Sequence, residues 1–502
     1  MLAAQGWAAT GEPVIADGRY ERAQLYTMLV GSLFRIFGDS LTVARLFSAV
    51  AGGLLVVVVF LWTRRVAGAL AAWIAGLLLC FSPLHIHISQ FARFYALFGL
   101  LFWLGAIGVY YLAENPWERL RSGLVALGSG LCFLLALHLQ VLAAMGLVGL
   151  AIWVIHARAL PWFRAERLDR RRWVLLAGLG ATAIAVLVAL AYAGVAAELW
   201  ERYRWTPAWN RAHRDEFWFY HVFLNQLFQS LWPVFPFLAI VAVAARPRPA
   251  WFCFIIFCTA LLLLSLGGMK DRRYVFFTLP FLFVLWGIAL AELLPLFRRY
   301  VGPRTLDALR NIAPGAARPW VQRGVIALGL LFLLGANGAP MKTLFGLAGI
   351  NLFAAGGGAD FTASPLRGDW KAAREELLPW LESVDVVVTT RDVETLYLLG
   401  PFDYALSLNR VSELGGVEFA TDPRTGRVAV SAPESIEKII NCYDTGLIIG
   451  DATLWDQSVP EETSNLIKTH TLPIELPPGP KIIAFRWDHP AEPSSEQCGS
   501  LR

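Results

Sequence analysis

The stretch "SPLHIHISQFARFYALF", residues 82–98, decides how this chain is read. Apolar runs flank it on both sides, yet it gathers two histidines, a glutamine, an arginine and a tyrosine within a dozen residues. Polar groups bunched at the edge of an apolar run mark the mouth of a membrane span, where they are either functional or simply wetted by headgroup water.

The rest of the chain supports a membrane reading. Of 502 residues, 57% are hydrophobic and 16% charged, with a mean hydropathy of +0.53, outside the usual composition of soluble domains. Ten stretches near span length and almost free of charge stand out, at 41–63, 66–84, 94–112, 122–137, 139–157, 173–195, 222–245, 250–267, 274–297 and 323–340. Charge is divided unevenly. From Asp360 onward there are 12 Lys+Arg and 23 Asp+Glu, against 31 and 15 before it. A basic membrane part therefore carries an acidic tail.

Orientation follows the cations. Arg64, Arg65, Arg119, Arg121, the run "RAERLDRRR" at 164–172, Arg246, Arg248 and the cluster from Arg298 to Arg323 fall in one set of alternate connections, expected to be cytoplasmic. Residues 1–40, 85–93, 138–140, 196–221, 267–273 and the tail then face outward. "GGMKDRRY" at 267–274 puts three cations in a short outer loop, against that tendency. Either they hold a lipid phosphate, which a guanidinium grips with a two-pronged fork, or they snorkel to headgroups.

Three parts are expected. Residues 1–40 form an outer loop with an amphipathic surface helix over 23–37, where Leu25, Leu29, Phe34 and Phe37 recur; 41–345 form a multi-pass domain; 360–502 form a soluble α/β domain. In the tail, helices are predicted at 369–384, near "VETLYLLG", at 433–440 and near "PEETSNLIKTH". Strands are predicted at 385–390, 446–451 and 481–487, with a hairpin insert over 416–430. Cys80, Cys132, Cys253 and Cys258 lie in apolar runs as core filler; Cys442 and Cys498 pair or stay free according to the compartment. Residues 1–22 contain no span and no basic region followed by an apolar one, so no signal is expected there.

"FGDSLTVARLFSAVAGGL", a span ending in "RR", then "SPLHIHISQFARFYAL", and later "MKDRRYVFFTLPFLFVLWGIAL" at 269–290, resemble the GT-C-fold glycosyltransferases in order and spacing. The resemblance is to the bacterial branch related to protein O-mannosyltransferases and the lipid A aminoarabinose transferase. It implies a polytopic α-helical fold with an extracytoplasmic α/β domain, in a bacterial inner membrane. It also implies inverting transfer of a sugar from a polyprenyl-phosphate donor to a glycan, lipid or protein acceptor, with membrane lipids but no nucleic acid as further partners. Such transfer needs a base for the acceptor's proton and cations or a metal for the departing phosphate. Relatives place an Asp-Glu pair just after a first span. This sequence starts downstream of that pair, so the acid is expected upstream of Met1, with Asp17 or Glu12 as substitutes if the start is authentic.

By motif, Arg93 and Tyr95, then Lys270, Arg272, Arg273 and Tyr274, are expected at the donor phosphate; His85, His87, Gln90, Trp205 and Trp209 are candidate sugar or lipid contacts. His85 and His87 with an upstream aspartate could hold a divalent metal, but hydrogen bonding in a wet loop is the simpler account, and no metal is assigned. Asp17 in "ADGRY" also reads as a turn residue, and Asp39 as a helix N-cap. The rival readings are a lipid or glycan transporter, which would carry charge near mid-membrane, and a binding protein without catalysis.

Overall fold

In the computed structural model, the described residues are 1–159 apart from 117, 200–300 apart from 202 and 207, and 369–488 apart from 477–480, together with Cys498. The chain divides into two compact units. One comprises Met1–Ala44, Thr206–Ala212 and Thr362–Arg502; the other comprises Arg45–Trp205 and His213–Phe361.

In the first unit, α1 (Leu2–Thr10) packs on α2 (Gln24–Phe37). Tyr26, Thr27, Val30, Gly31 and Phe34 are the buried face of α2, while Leu29, Ile36 and Phe37 are exposed on another side. The expected amphipathic helix is therefore present with two apolar faces, one of them spent on α1. Between the helices, the hairpin β1 (Val14–Ile15) and β2 (Gly18–Arg19) docks on the turn at 422–427. Asp17 and Arg19 N–H donate to the carbonyls of Thr425 and Pro423, and the Asp17 carboxylate pairs with Arg427 at 3.0 Å. A Cβ on Gly18 would sit 2.4 Å from the Arg424 carbonyl carbon, and one on Gly426 would sit 2.6 Å from Asp17, so both positions are glycine because the backbones touch.

The tail is a seven-stranded sheet in the order β5-β6-β4-β3-β7-β9-β8, with β6 (Val428–Val430), β4 (Tyr404–Leu406), β3 (Val386–Thr389) and β7 (Thr445–Asp451) parallel. At its edges lie β5 (Ala420–Thr421), which forms the expected hairpin with β6, and β9 (Ile482–Asp488) with β8 (Leu472–Ile474), both antiparallel. Alternation along the strands serves two cores. Val386, Val388, Leu406 and Ile448 meet Ile436, Ile439 and Ile467 on one face; Val387, Ala405, Leu447 and Ile449 meet Trp370, Ala373 and Leu377 on the other. Cys442 and Cys498 form a disulfide, which settles the alternative left open by the sequence.

The second unit is helical. Its main elements are α3 (Leu41–Ala67), α4 (Ala69–Cys80), α5 (Pro83–Gln90), α6 (Tyr95–Glu114), α7 (Arg119–Leu139), α8 (Ala143–Val154), α9 (Phe219–Leu227), α10 (Phe235–Ala245), α11 (Pro247–Leu266) and α12 (Leu279–Tyr300). Among the described residues, five helices are long and apolar enough to cross a membrane, or six if α4 and α5, bent by 58°, count as one span. Ten spans are therefore not reproduced. The stretch 66–84 breaks at Phe81, before Pro83; 222–245 breaks into α9 and α10 around Pro233, since proline cannot continue the ladder; 139–157 yields only the short α8 and a π-turn; and 173–195 and 323–340 lie outside the described residues. Leu120, Leu124, Leu127, Leu131 and Leu134 are all exposed along α7, an apolar stripe that bilayer hydrocarbon would cover. The chain is a multi-pass membrane protein.

Candidate functional site

The residues of the opening stretch and of "GGMKDRRY" meet at one end of the helical unit. α5 and α6 both pack against a 3-10 helix, Arg272–Thr278, that follows the loop after α11. The loop is held in place by its own lysine. Lys270 is 1% exposed, and its ammonium donates to the carbonyls of Leu264, Ser265 and Gly267 at the carboxyl end of α11. Tyr203 donates to the Leu263 carbonyl and Arg204 to that of Leu266, at 2.9 Å in the latter case. Cations and hydroxyls there satisfy carbonyls that the helix leaves open and offset the negative end of its dipole. This gives one of the three cations that break the positive-inside tendency a structural occupation. Lys270, expected at the donor phosphate, is turned into the helix end instead.

Arg273 is held differently. One oxygen of Asp271 accepts from the Arg273 backbone N–H at 3.0 Å, capping the 3-10 helix, and the other pairs with Nη2 of the same arginine at 2.8 Å. The guanidinium then lies 5.6 Å from the Tyr95 ring centroid and 5.5 Å from that of Tyr274, contacts of cation–π type. Its Nε is buried without a hydrogen-bond partner. The guanidinium is thus fixed on three sides with one donor unused. The Tyr95 hydroxyl lies within electrostatic reach of Arg273, Arg93 and Asp271. Arg93 is exposed, its guanidinium beside Phe91, and its carbonyl accepts from Ser48 of α3 at 3.2 Å. Arg272 points outward over Phe223.

The structure thus brings together Arg93, Tyr95, Arg273 and Tyr274. The two histidines separate. His85 is buried, stacked on Phe276 and close to Gly52 of α3, while His87 is exposed and stacked on Phe91. Two residues apart on a helix, they face different ways and do not converge on one ion. Among the described residues, no group of three or more His, Cys, Asp or Glu is placed to hold a metal. Gln90 is exposed beside this site, and Trp205 is exposed in the loop before the 3-10 helix Ala208–His213. The Trp209 side chain lies outside those described. Glu12 is exposed, its N–H donating to Thr10; Asp17 belongs to the Arg427 ion pair described above. Asp39 does not cap α3: Ser40 accepts from Val43 N–H at 3.2 Å, and Asp39 accepts from Gln5.

Sequence reasoning missed Asp271 and Tyr220, whose hydroxyl accepts the Asp271 N–H at 3.3 Å. The available signal for Asp271 was an aspartate just ahead of a helical segment, the spacing of an N-cap.

The fold is that of a polytopic membrane protein of GT-C architecture with a C-terminal α/β sheet. The chain shares its fold with ArnT from Cupriavidus metallidurans in two crystal structures. The structure bound to undecaprenyl phosphate matches with a TM-score of 0.60 and 16% identity, over 97% of this chain and 92% of that one. The apo structure matches with a TM-score of 0.54 at the same identity and coverage. No protein-family profile matches the chain, and no curated protein does.

Proposed function

We propose that this protein is an integral-membrane glycosyltransferase. It moves a sugar, with inversion, from a polyprenyl-phosphate donor to a glycan, lipid or protein acceptor at the extracytoplasmic face of a bacterial inner membrane. The observation that carries this reading is Arg273, clamped by Asp271 between Tyr95 and Tyr274 with its buried Nε unpartnered. The fold shared with an ArnT that was crystallised with undecaprenyl phosphate supports the same ligand chemistry.

In the reaction, an acceptor oxygen attacks the anomeric carbon, the bond from that carbon to the phosphate oxygen breaks, and the acceptor's proton passes to a base. Charge grows on the departing phosphate. Donors already oriented toward that charge stabilise it without reorganising, the usual source of electrostatic catalysis. Arg273 is the chief such donor, with Arg93 and the Tyr95 hydroxyl beside it. No described residue is assigned the role of the base, and a divalent ion helping the phosphate leave stays part of the proposal without assigned ligands. The Cys442–Cys498 disulfide supports an extracytoplasmic tail, since such bonds persist in oxidising compartments.

The test is transfer itself. Full-length protein in lipid nanodiscs is given undecaprenyl-phosphate-linked glucose, mannose or aminoarabinose, with lipid and glycan fractions of a bacterial envelope as acceptors. Release of undecaprenyl phosphate with sugar appearing in an acceptor fraction, abolished by Arg273→Ala, is expected. Tight donor binding without release would instead favour a binding protein.

A further inference from the structure

Resting on the reading just given, we infer that Asp271 makes the site select the sugar-bearing phosphodiester over the bare phosphate monoester left after transfer. The carboxylate pairs with Nη2 of Arg273 and leaves Nε without a partner. A phosphate taken by the remaining donors of that guanidinium would lie roughly 5–6 Å from the carboxylate, close enough for strong repulsion in a partly dry site.

That repulsion differs between substrate and product. A sugar phosphodiester carries one negative charge at any neutral pH. The monoester carries nearly two, because its second ionisation lies near pH 6. Coulomb energy scales with charge, so Asp271 penalises the product about twice as much as the donor. The groups facing Asp271 do not cancel this. They are Arg273, already shared, and Tyr95, Tyr220 and Tyr274, which are neutral phenols near pH 7. Asp271 thus has two effects: it orients Arg273 for either ligand, and it disfavours the dianion. Only the second alters the ratio of affinities.

Undecaprenyl phosphate and its methyl diester share the lipid tail, lack any sugar and differ in charge. Their binding to the full-length protein would be titrated in nanodiscs for wild type, Asp271→Asn and Asp271→Ser. Either replacement keeps an acceptor for the Arg273 N–H. At about pH 8 both variants are expected to move the monoester-to-diester affinity ratio about tenfold toward the monoester; at about pH 5, where the monoester is mostly a monoanion, the ratio should barely move. Equal weakening of both lipids would overturn the inference and leave Asp271 as a positioning residue only. Arg273→Ala separates the two levels of argument. If it leaves both affinities intact, the phosphate assignment fails; if it weakens both while the Asp271 variants keep the wild-type ratio, selection alone fails.

Discussion

The guanidinium of Arg273 lies 5.6 Å from the ring centroid of Tyr95, joining the 3-10 helix Arg272–Thr278 to the first residue of α6. Arginine is suited to this place because its planar fork can stack on a ring while its edges donate hydrogen bonds. Lysine would keep the charge and lose both the stack and the fork. Arg273→Ala is expected to weaken undecaprenyl phosphate binding at least tenfold, and Arg273→Lys to recover only part of that loss. Titration of both variants against wild type checks the order.

Lys270 contrasts with Arg273 in its partners. With its ammonium on the carbonyls of Leu264, Ser265 and Gly267, its removal leaves a buried helix end unsatisfied. Lys270→Met should cost about 1–3 kcal/mol of stability, read as a lower unfolding temperature in detergent. A large loss of lipid affinity with an unchanged unfolding temperature would restore Lys270 to the phosphate.

The hairpin at 14–19 should tolerate no side chain where it meets the 422–427 turn. Gly18→Val would drive its Cβ into the Arg424 and Thr425 backbone. Hydrogen exchange of the full-length protein is expected to show residues 14–19 and 422–427 losing protection together, with the helix Pro433–Cys442 unchanged. Independent behaviour of the two segments would contradict the docking.

Glu418 makes the tail sensitive to acid. Burial alone would raise its pKa, but the Ser431 hydroxyl and N–H and the Ala432 N–H donate to the carboxylate at 2.6, 2.8 and 3.2 Å and hold it below the ordinary value. A carboxylate depressed in the folded state binds fewer protons there than in the unfolded chain. Its contribution is present above the ordinary glutamate value and lost as pH falls through the depressed one. Protection of 428–432 should therefore decline on acidification in wild type, and Glu418→Gln should be less stable at neutral pH with a flatter acid dependence.

Much of this was legible in the sequence. The apolar runs behind α3, α6, α7 and α11 announced themselves by length, and the strands β3, β7 and β9 by short β-branched runs between turn signals. Motif order singled out Arg273 and Tyr95, which the fold sets side by side. What stayed hidden was direction. A sequence shows three cations in one loop but not that Lys270 turns back onto the preceding helix while Arg273 turns toward α6. Hydropathy averaged over a window likewise runs through the breaks at Pro83 and Pro233, because apolar residues continue on both sides. Asp17 was legible as the turn residue it is, but not as half of an ion pair, because its partner Arg427 lies some 400 residues away in the chain.

The most direct measurement is the affinity of the full-length protein in nanodiscs for undecaprenyl phosphate, in wild type, in Arg273→Ala and in Arg158→Ala. Arg158 donates to the Leu112 and Asn115 carbonyls at the other end of α6 and serves as the cation control. Saturable binding that falls at least tenfold in Arg273→Ala and is kept in Arg158→Ala is the predicted result. Equal affinities in all three, or no saturable binding by the wild type, would contradict a lipid-phosphate site at Arg273.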